Sequence, residues 1–111
     1  MPVTDKRARE CALALPDTEE KPHFDRAAFR TPKRIFATLG AHGDLNLMFD
    51  PDLQAHYCAM APAAFAPLDN AWGRQGATRC DLKTVDVATL KSALLAAHTK
   101  ANAPSPKKRK T

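Results

Sequence analysis

A chain of 111 residues with 44% apolar side chains can bury one small core and has no length left for a second, which excludes a catalytic cleft between domains. Its formal charge of +5 is a property of the C-terminus: Lys107, Lys108, Arg109 and Lys110 contribute +4, leaving +1 for everything before them. No apolar run reaches the roughly 18 residues of a membrane span and the N-terminus shows no apolar signal region, so a cytoplasmic protein without a membrane contact is expected.

Thr4 is placed to cap a first helix, in which Ala8, Cys11, Ala12 and Leu15 recur at helical spacing and Lys6, Arg7, Arg9 and Glu10 face outward. Pro16 follows. "DTEEKP" then reads as a polar connector into an extended segment from His23 to Thr31. In "RIFATLGAHGDLNLMFD" the period drops to two. Ile35, Ala37 and Leu39 alternate with Arg34, Phe36 and Thr38, and Leu45, Leu47 and Phe49 alternate with Asn46 and Met48, which predicts a β-hairpin closed by "GAHGD".

Asp50 before Pro51 is a helix start, and Leu53, Tyr57 and Met60 share one face of the short helix that Pro62 ends. "PAAFAPLDNAWGRQG" reads as a loop. "ATRCDL" is a half-buried strand with Thr78, Cys80 and Leu82 inward, and Asp86 caps a last helix carrying Val87, Leu90, Leu94 and Ala97 until Asn102 and Pro104 stop it. The sum is an α+β fold, an antiparallel sheet flanked by N- and C-terminal helices, over residues 1–103. Residues 104–111, "PSPKKRKT", are expected to form a disordered basic tail.

Chemistry is sparse. Cys11, Cys58 and Cys80 are odd in number and widely spaced, as reduced thiols would be, and the four histidines show no metal-ligand spacing, so no metal or cofactor is expected. The serines are Ser92, inside the last helix, and Ser105, in the tail, which leaves a serine nucleophile nowhere to sit. "GRQG" is too short for a phosphate loop and lacks its lysine. A non-enzymatic protein is expected.

Two segments stand apart. "EKPHFDRAAFR" combines His23, Phe24, Arg26, Phe29 and Arg30, and "AWGRQGATR" combines Trp72, Arg74, Gln75 and Arg79, all groups that hold phosphates or stack on bases. From the residues alone two readings stay open: a ligand-binding surface, or a scaffold in which Trp72 caps the core, Gly73 and Gly76 supply positive φ, and Arg30 or Arg79 pairs with Asp25 or Asp81.

The stretches "ALALPDTEEKPHFDRAAFR", "KRIFATL", "LMFDPDLQ" and "NAWGRQGATRCDL" resemble, in that order and with similar spacing, the MmcQ/YjbR family of small bacterial proteins, over about residues 8 to 98. Glu20, Lys21, Pro22, His23, Phe24 and Phe29 match its first motif, and Trp72, Gly73, Arg74, Gln75, Gly76 and Arg79 its second. The chain departs from the pattern at Ala77, where members often carry an aromatic residue, and at Asp25, where they carry glycine. The resemblance implies a compact α+β fold similar to the frataxin-like CyaY or double-wing arrangement, and DNA binding. It does not carry iron binding over, because the first helix presents Lys6, Arg7 and Arg9 where a hard cation needs acids. The expected DNA contacts are Lys21, His23, Arg26, Arg30, Lys33, Arg34, Trp72, Arg74, Gln75 and Arg79, with Lys107, Lys108, Arg109 and Lys110 adding non-specific affinity. The alternative is a protein-interaction or small anionic-ligand module built on the same surface.

Overall fold

A computed structural model of the chain describes residues 3–23, 26–40 and 44–102, which form four helices and six strands. Helix α1 (Asp5–Leu13) begins where Thr4 accepts a hydrogen bond from the Arg7 backbone N–H at 3.0 Å, and buries Ala8, Cys11 and Ala12 as its spacing predicts.

The segment after Pro16 is more regular than its composition suggests. "DTEEKP" does not remain a connector: Glu19–His23 forms strand β1, which pairs antiparallel with β2 (Arg26–Arg30). β1 lies at the sheet edge, where the missing N–H of Pro22 need not break a ladder bond, so neither proline nor the run of charges prevents a strand.

Strands β3 (Ile35–Leu39) and β4 (Asp44–Met48) form the expected hairpin, while residues 41–43 of its "GAHGD" turn lie outside the described residues. One side chain breaks the alternation. Phe29 pairs with Ala37 and Arg30 with Ile35, so Phe36 is an extra residue, a bulge that turns its ring into the core, where it is fully buried, and leaves Ile35 on the opposite face. A strict period of two had placed Phe36 outward with Thr38.

Asp50 caps α2 (Pro51–Met60) through a 2.8 Å bond from the Leu53 N–H. Tyr57 makes this helix's main core contact, stacked on Phe49 at 5.1 Å and tilted against Phe65 at 5.3 Å, whereas Met60 in the last turn stays exposed. The stretch predicted as a loop contains β5 (Phe65–Pro67) and α3 (Ala71–Arg74). β6 (Ala77–Asp81) and α4 (Val87–Asn102) complete the chain, and Asp86 accepts the Thr89 N–H at 2.7 Å.

The six strands form one antiparallel sheet in the order β1-β2-β3-β4-β6-β5, which confirms the α+β architecture. Helices α1 and α4 cover one face, over a core of Phe29, Phe36, Leu45, Leu47, Leu90 and Leu94. His98, buried in α4, ties this layer together: its Nε2 lies 2.8 Å from the Pro16 carbonyl and its ring meets Phe36 edge-on at 5.3 Å. The 104–111 tail lies outside the described residues.

Candidate functional site

Because cross-strand partners share a face, the registers fix what the other side of the sheet presents. One row crosses all six strands: Lys21, Ala28, Thr38, Asn46, Arg79 and Ala66. On neighbouring rows stand Arg26 and Arg30 from β2, Ile35 from β3, and Asp44 and Met48 from β4. Among the described residues α3 borders this face, which carries several of the candidate cations.

Those cations are not equivalent. Arg26 is committed within the fold, donating Nε to Thr38 Oγ1 at 2.9 Å, one terminal nitrogen to Asp44 Oδ2 at 2.9 Å, and the other to the carbonyls of Thr38 at 3.0 Å and Asp44 at 2.9 Å. Four of its five N–H donors are thereby spent on the β3–β4 hairpin. Arg79 shares the same carboxylate at the longer distance of 3.6 Å and keeps 56% of its side chain exposed. Arg30 makes one long bond, 3.3 Å from Nε to the Thr31 carbonyl, and has no carboxylate partner among the described residues. Lys21 pairs loosely with its exposed neighbour Glu19 at 3.6 Å.

The "AWGRQG" segment resolves into a scaffold and a presented side chain. Asn70 caps α3 by accepting the Gly73 N–H at 3.1 Å, and Gln54 of α2 donates Nε2 to the carbonyls of Gly73 at 2.8 Å and Ala77 at 3.1 Å. A Cβ on Gly73 would overlap the Leu68 carbonyl. Gly76 has φ +119° and packs against the Phe49 and Asp50 backbone. Both glycines are thus structural. Trp72 between them is not a core cap: it is 65% exposed, and its indole helps to line a cavity of about 600 Å³ on the open face with Arg26, Ile35, Thr38, Asn46 and Met48. Arg74 and Gln75 are exposed beside it.

The remaining candidates lie elsewhere. Lys33 and Arg34 sit in the exposed β2–β3 turn, held by Thr31 Oγ1, which accepts their N–H groups at 3.1 and 3.2 Å. Arg34 borders a different cavity, on the helical side, with Asp50, Tyr57, Ser92 and Lys100. The sheet therefore separates it from Arg30 and Arg79. The side chain of His23, all of Phe24 and Asp25, and the tail residues Lys107, Lys108, Arg109 and Lys110 lie outside what the structure describes. Among the described residues no three His, Cys, Asp or Glu side chains come together as a metal site would need.

Titration behaviour follows burial. Desolvation, reinforced by the neighbouring Asp81 charge, pushes the Cys80 thiol up to about 12, and desolvation also raises that of Cys58. The Asp86 carboxyl is held below its ordinary value by the Thr89 backbone N–H.

Thr38, Asn46, Met48 and Ile35 complete the cavity and were not among the expected contacts. The period-two pattern placed Thr38, Asn46 and Met48 outward, but nothing in it showed that Trp72, distant in sequence, borders the same space.

A family model described as YjbR matches residues 13–100. The crystal structure of the Deinococcus radiodurans protein DR2400, with the family-model domain DUF419, superposes with a TM-score of 0.70 at 20% identity, covering 86% of this chain and 75% of that one. That likeness concerns the fold alone. No curated protein matches the chain.

Proposed function

Since the chain belongs to the YjbR family, whose membership fixes the fold without naming a ligand, we propose from its own surface that it is a non-enzymatic nucleic-acid-binding protein that engages DNA through the open face of the sheet. The observation that carries this reading is the placement of Arg30 and Arg79 on one face with the exposed indole of Trp72. Cationic groups that keep free donors hold phosphates, and an exposed aromatic plane stacks on bases.

Arg30 and Arg79 are the phosphate contacts on the sheet, with Arg74 at the end of α3 and Lys21 on the edge strand β1 as flanking charges. Arg26 serves by fixing the hairpin that carries Asp44 and Asn46. Gln75 stands at the margin as a hydrogen-bonding partner. Lys33 and the tail cations strengthen binding without reading anything, and Arg34 stands apart on the helical side. The best nucleophile candidates give no support to catalysis: Cys80 keeps its proton at neutral pH, and the Ser92 hydroxyl sits 2.6 Å from that of Tyr57, with no histidine between them.

The test is the salt dependence of DNA affinity in a full-length variant whose tail cations Lys107, Lys108, Arg109 and Lys110 are all changed to glutamine. About three phosphate contacts from the folded face predict a log–log slope near −2 to −3, depending on strand type. A slope near zero, or affinity lost entirely with the tail charges, would overturn the reading.

A further inference from the structure

The cavity beneath Trp72 points to the part of the nucleic acid that the face takes. We propose that it is a pocket for one unpaired nucleobase, stacked on the indole of Trp72 and hydrogen-bonded to the carboxamide of Asn46, so that the protein prefers single strands to duplex. This rests on the sheet face being the nucleic-acid surface.

The polar groups around the cavity select the ligand chemistry. Thr38 Oγ1 is taken by Arg26, Arg26 has spent four of its five donors, and the Asn70 carboxamide oxygen caps Gly73. Asn46 is different: its Oδ1 is buried and accepts no hydrogen bond from any of the described residues, although it stands at the centre of the row between Thr38 and Arg79. A buried acceptor without a donor is costly, and native structures keep few of them. An N–H group from a ligand would remove that cost. Every base carries one, and the adenine edge offers an asparagine carboxamide a donor and an acceptor together. Because the terminal torsion of asparagine is soft, the carboxamide can turn to meet a base without disturbing β4.

The walls suit a planar guest. Met48, Ile35 and Leu68 are apolar and Trp72 supplies a π face, while the volume of about 600 Å³ lies within the range of small-molecule pockets. Arg79, next to Asn46 on the same row, is positioned to hold the phosphate of a nucleotide whose base enters. A duplex keeps its bases stacked and paired, so entry from duplex DNA would first require a base to be flipped out. A single strand avoids that cost.

Tryptophan occurs once in the chain, which makes the test direct. Three probes would be titrated into the full-length protein while its intrinsic fluorescence and their binding are followed: an oligo(dA) strand of roughly ten nucleotides, an abasic deoxyribose-phosphate strand of the same length, and the corresponding duplex. Oligo(dA) should quench Trp72 and bind at least about tenfold more tightly than the abasic strand. Trp72→Ala should remove that advantage, Trp72→Phe should restore most of it, and Asn46→Ala should cost about fivefold for oligo(dA) alone. Arg30→Ala should weaken both single strands equally. If the abasic strand or the duplex binds as tightly as oligo(dA), or Trp72→Ala weakens all probes alike, the base pocket is refuted while phosphate binding by the face survives. If no probe binds, the nucleic-acid reading itself fails.

Discussion

Arg26 and Arg30 are four residues apart on one strand and chemically identical, yet Arg26 makes four hydrogen bonds within the fold and Arg30 a single long one. Replacing Arg26 with methionine keeps the aliphatic stem and removes four hydrogen bonds, one of them to the Asp44 carboxylate. Bonds made by a charged group contribute about 1.5–3 kcal/mol each when well shielded. The Arg26 side chain is 21% exposed and that of Asp44 38%, so solvent screening reduces the total, to about 3 kcal/mol for the set. For a domain of this size that lowers the thermal midpoint by on the order of 15 °C. Arg30, with one long bond to a backbone carbonyl, should change stability by no more than about 0.5 kcal/mol when replaced by alanine. DNA binding should show the reverse ranking. Arg30→Ala should reduce the salt slope by about 0.7 to 0.9, one phosphate's worth, and Arg26→Met by much less. Thermal melts followed by circular dichroism and salt titrations of binding measure both quantities. A stable Arg26→Met protein that has lost a full phosphate from its slope would show that the guanidinium serves DNA rather than the hairpin.

Other consequences concern the scaffold. Gly76→Ala forces a side chain into a positive-φ position against the Phe49 and Asp50 backbone, and should lower unfolding free energy by about 2–4 kcal/mol in urea, with the m value unchanged. Gln54→Ala removes the bonds to the Gly73 carbonyl in α3 and the Ala77 carbonyl at the start of β6. It should cost about 2 kcal/mol and alter the emission of Trp72, and an unaltered spectrum would mean that Gln54 does not position the indole. With its thiol at about 12 and its side chain buried, Cys80 should resist an aromatic disulfide reagent at pH 8 until the protein unfolds, and labelling in the native state would contradict the burial. Asp86 has a folded pKa below its ordinary 3.8, so the stabilisation from its cap is fully present above that value and lost as pH falls through the folded pKa. The difference in urea midpoint between the native chain and Asp86→Asn should accordingly shrink as pH is lowered from 6 towards 3.

Local rules reached much of this fold. The caps at Thr4, Asp50 and Asp86, the alternation of β4 and the inward Thr78 and Cys80 depend on neighbours a few residues away, and all appear where the pattern puts them. β1 leaves no period-two signal because an edge strand needs no apolar face of its own and can accept Pro22. The inward turn of Phe36 is set by a bulge in the register with β2, about which a period of two carries no information. The site divides in the same way. That Trp72 and the arginines are unusual could be seen one residue at a time, but that Asp44 binds Arg26 while Arg30 has no carboxylate partner among the described residues depends on contacts between strands. Asn46 was visible only as an outward position; its unpaired oxygen emerges once β3, β4 and β6 lie side by side.

An amide-resolved NMR titration of the full-length protein with a short single-stranded DNA would test most directly where nucleic acid binds. The Trp72 indole N–H and the backbone amides around Arg30, Thr38, Asn46 and Arg79 should shift together and saturate at one ligand concentration. Shifts confined to residues beyond Asn102, or to the helical side around Arg34, Tyr57 and Ser92, would contradict the assignment of the open sheet face.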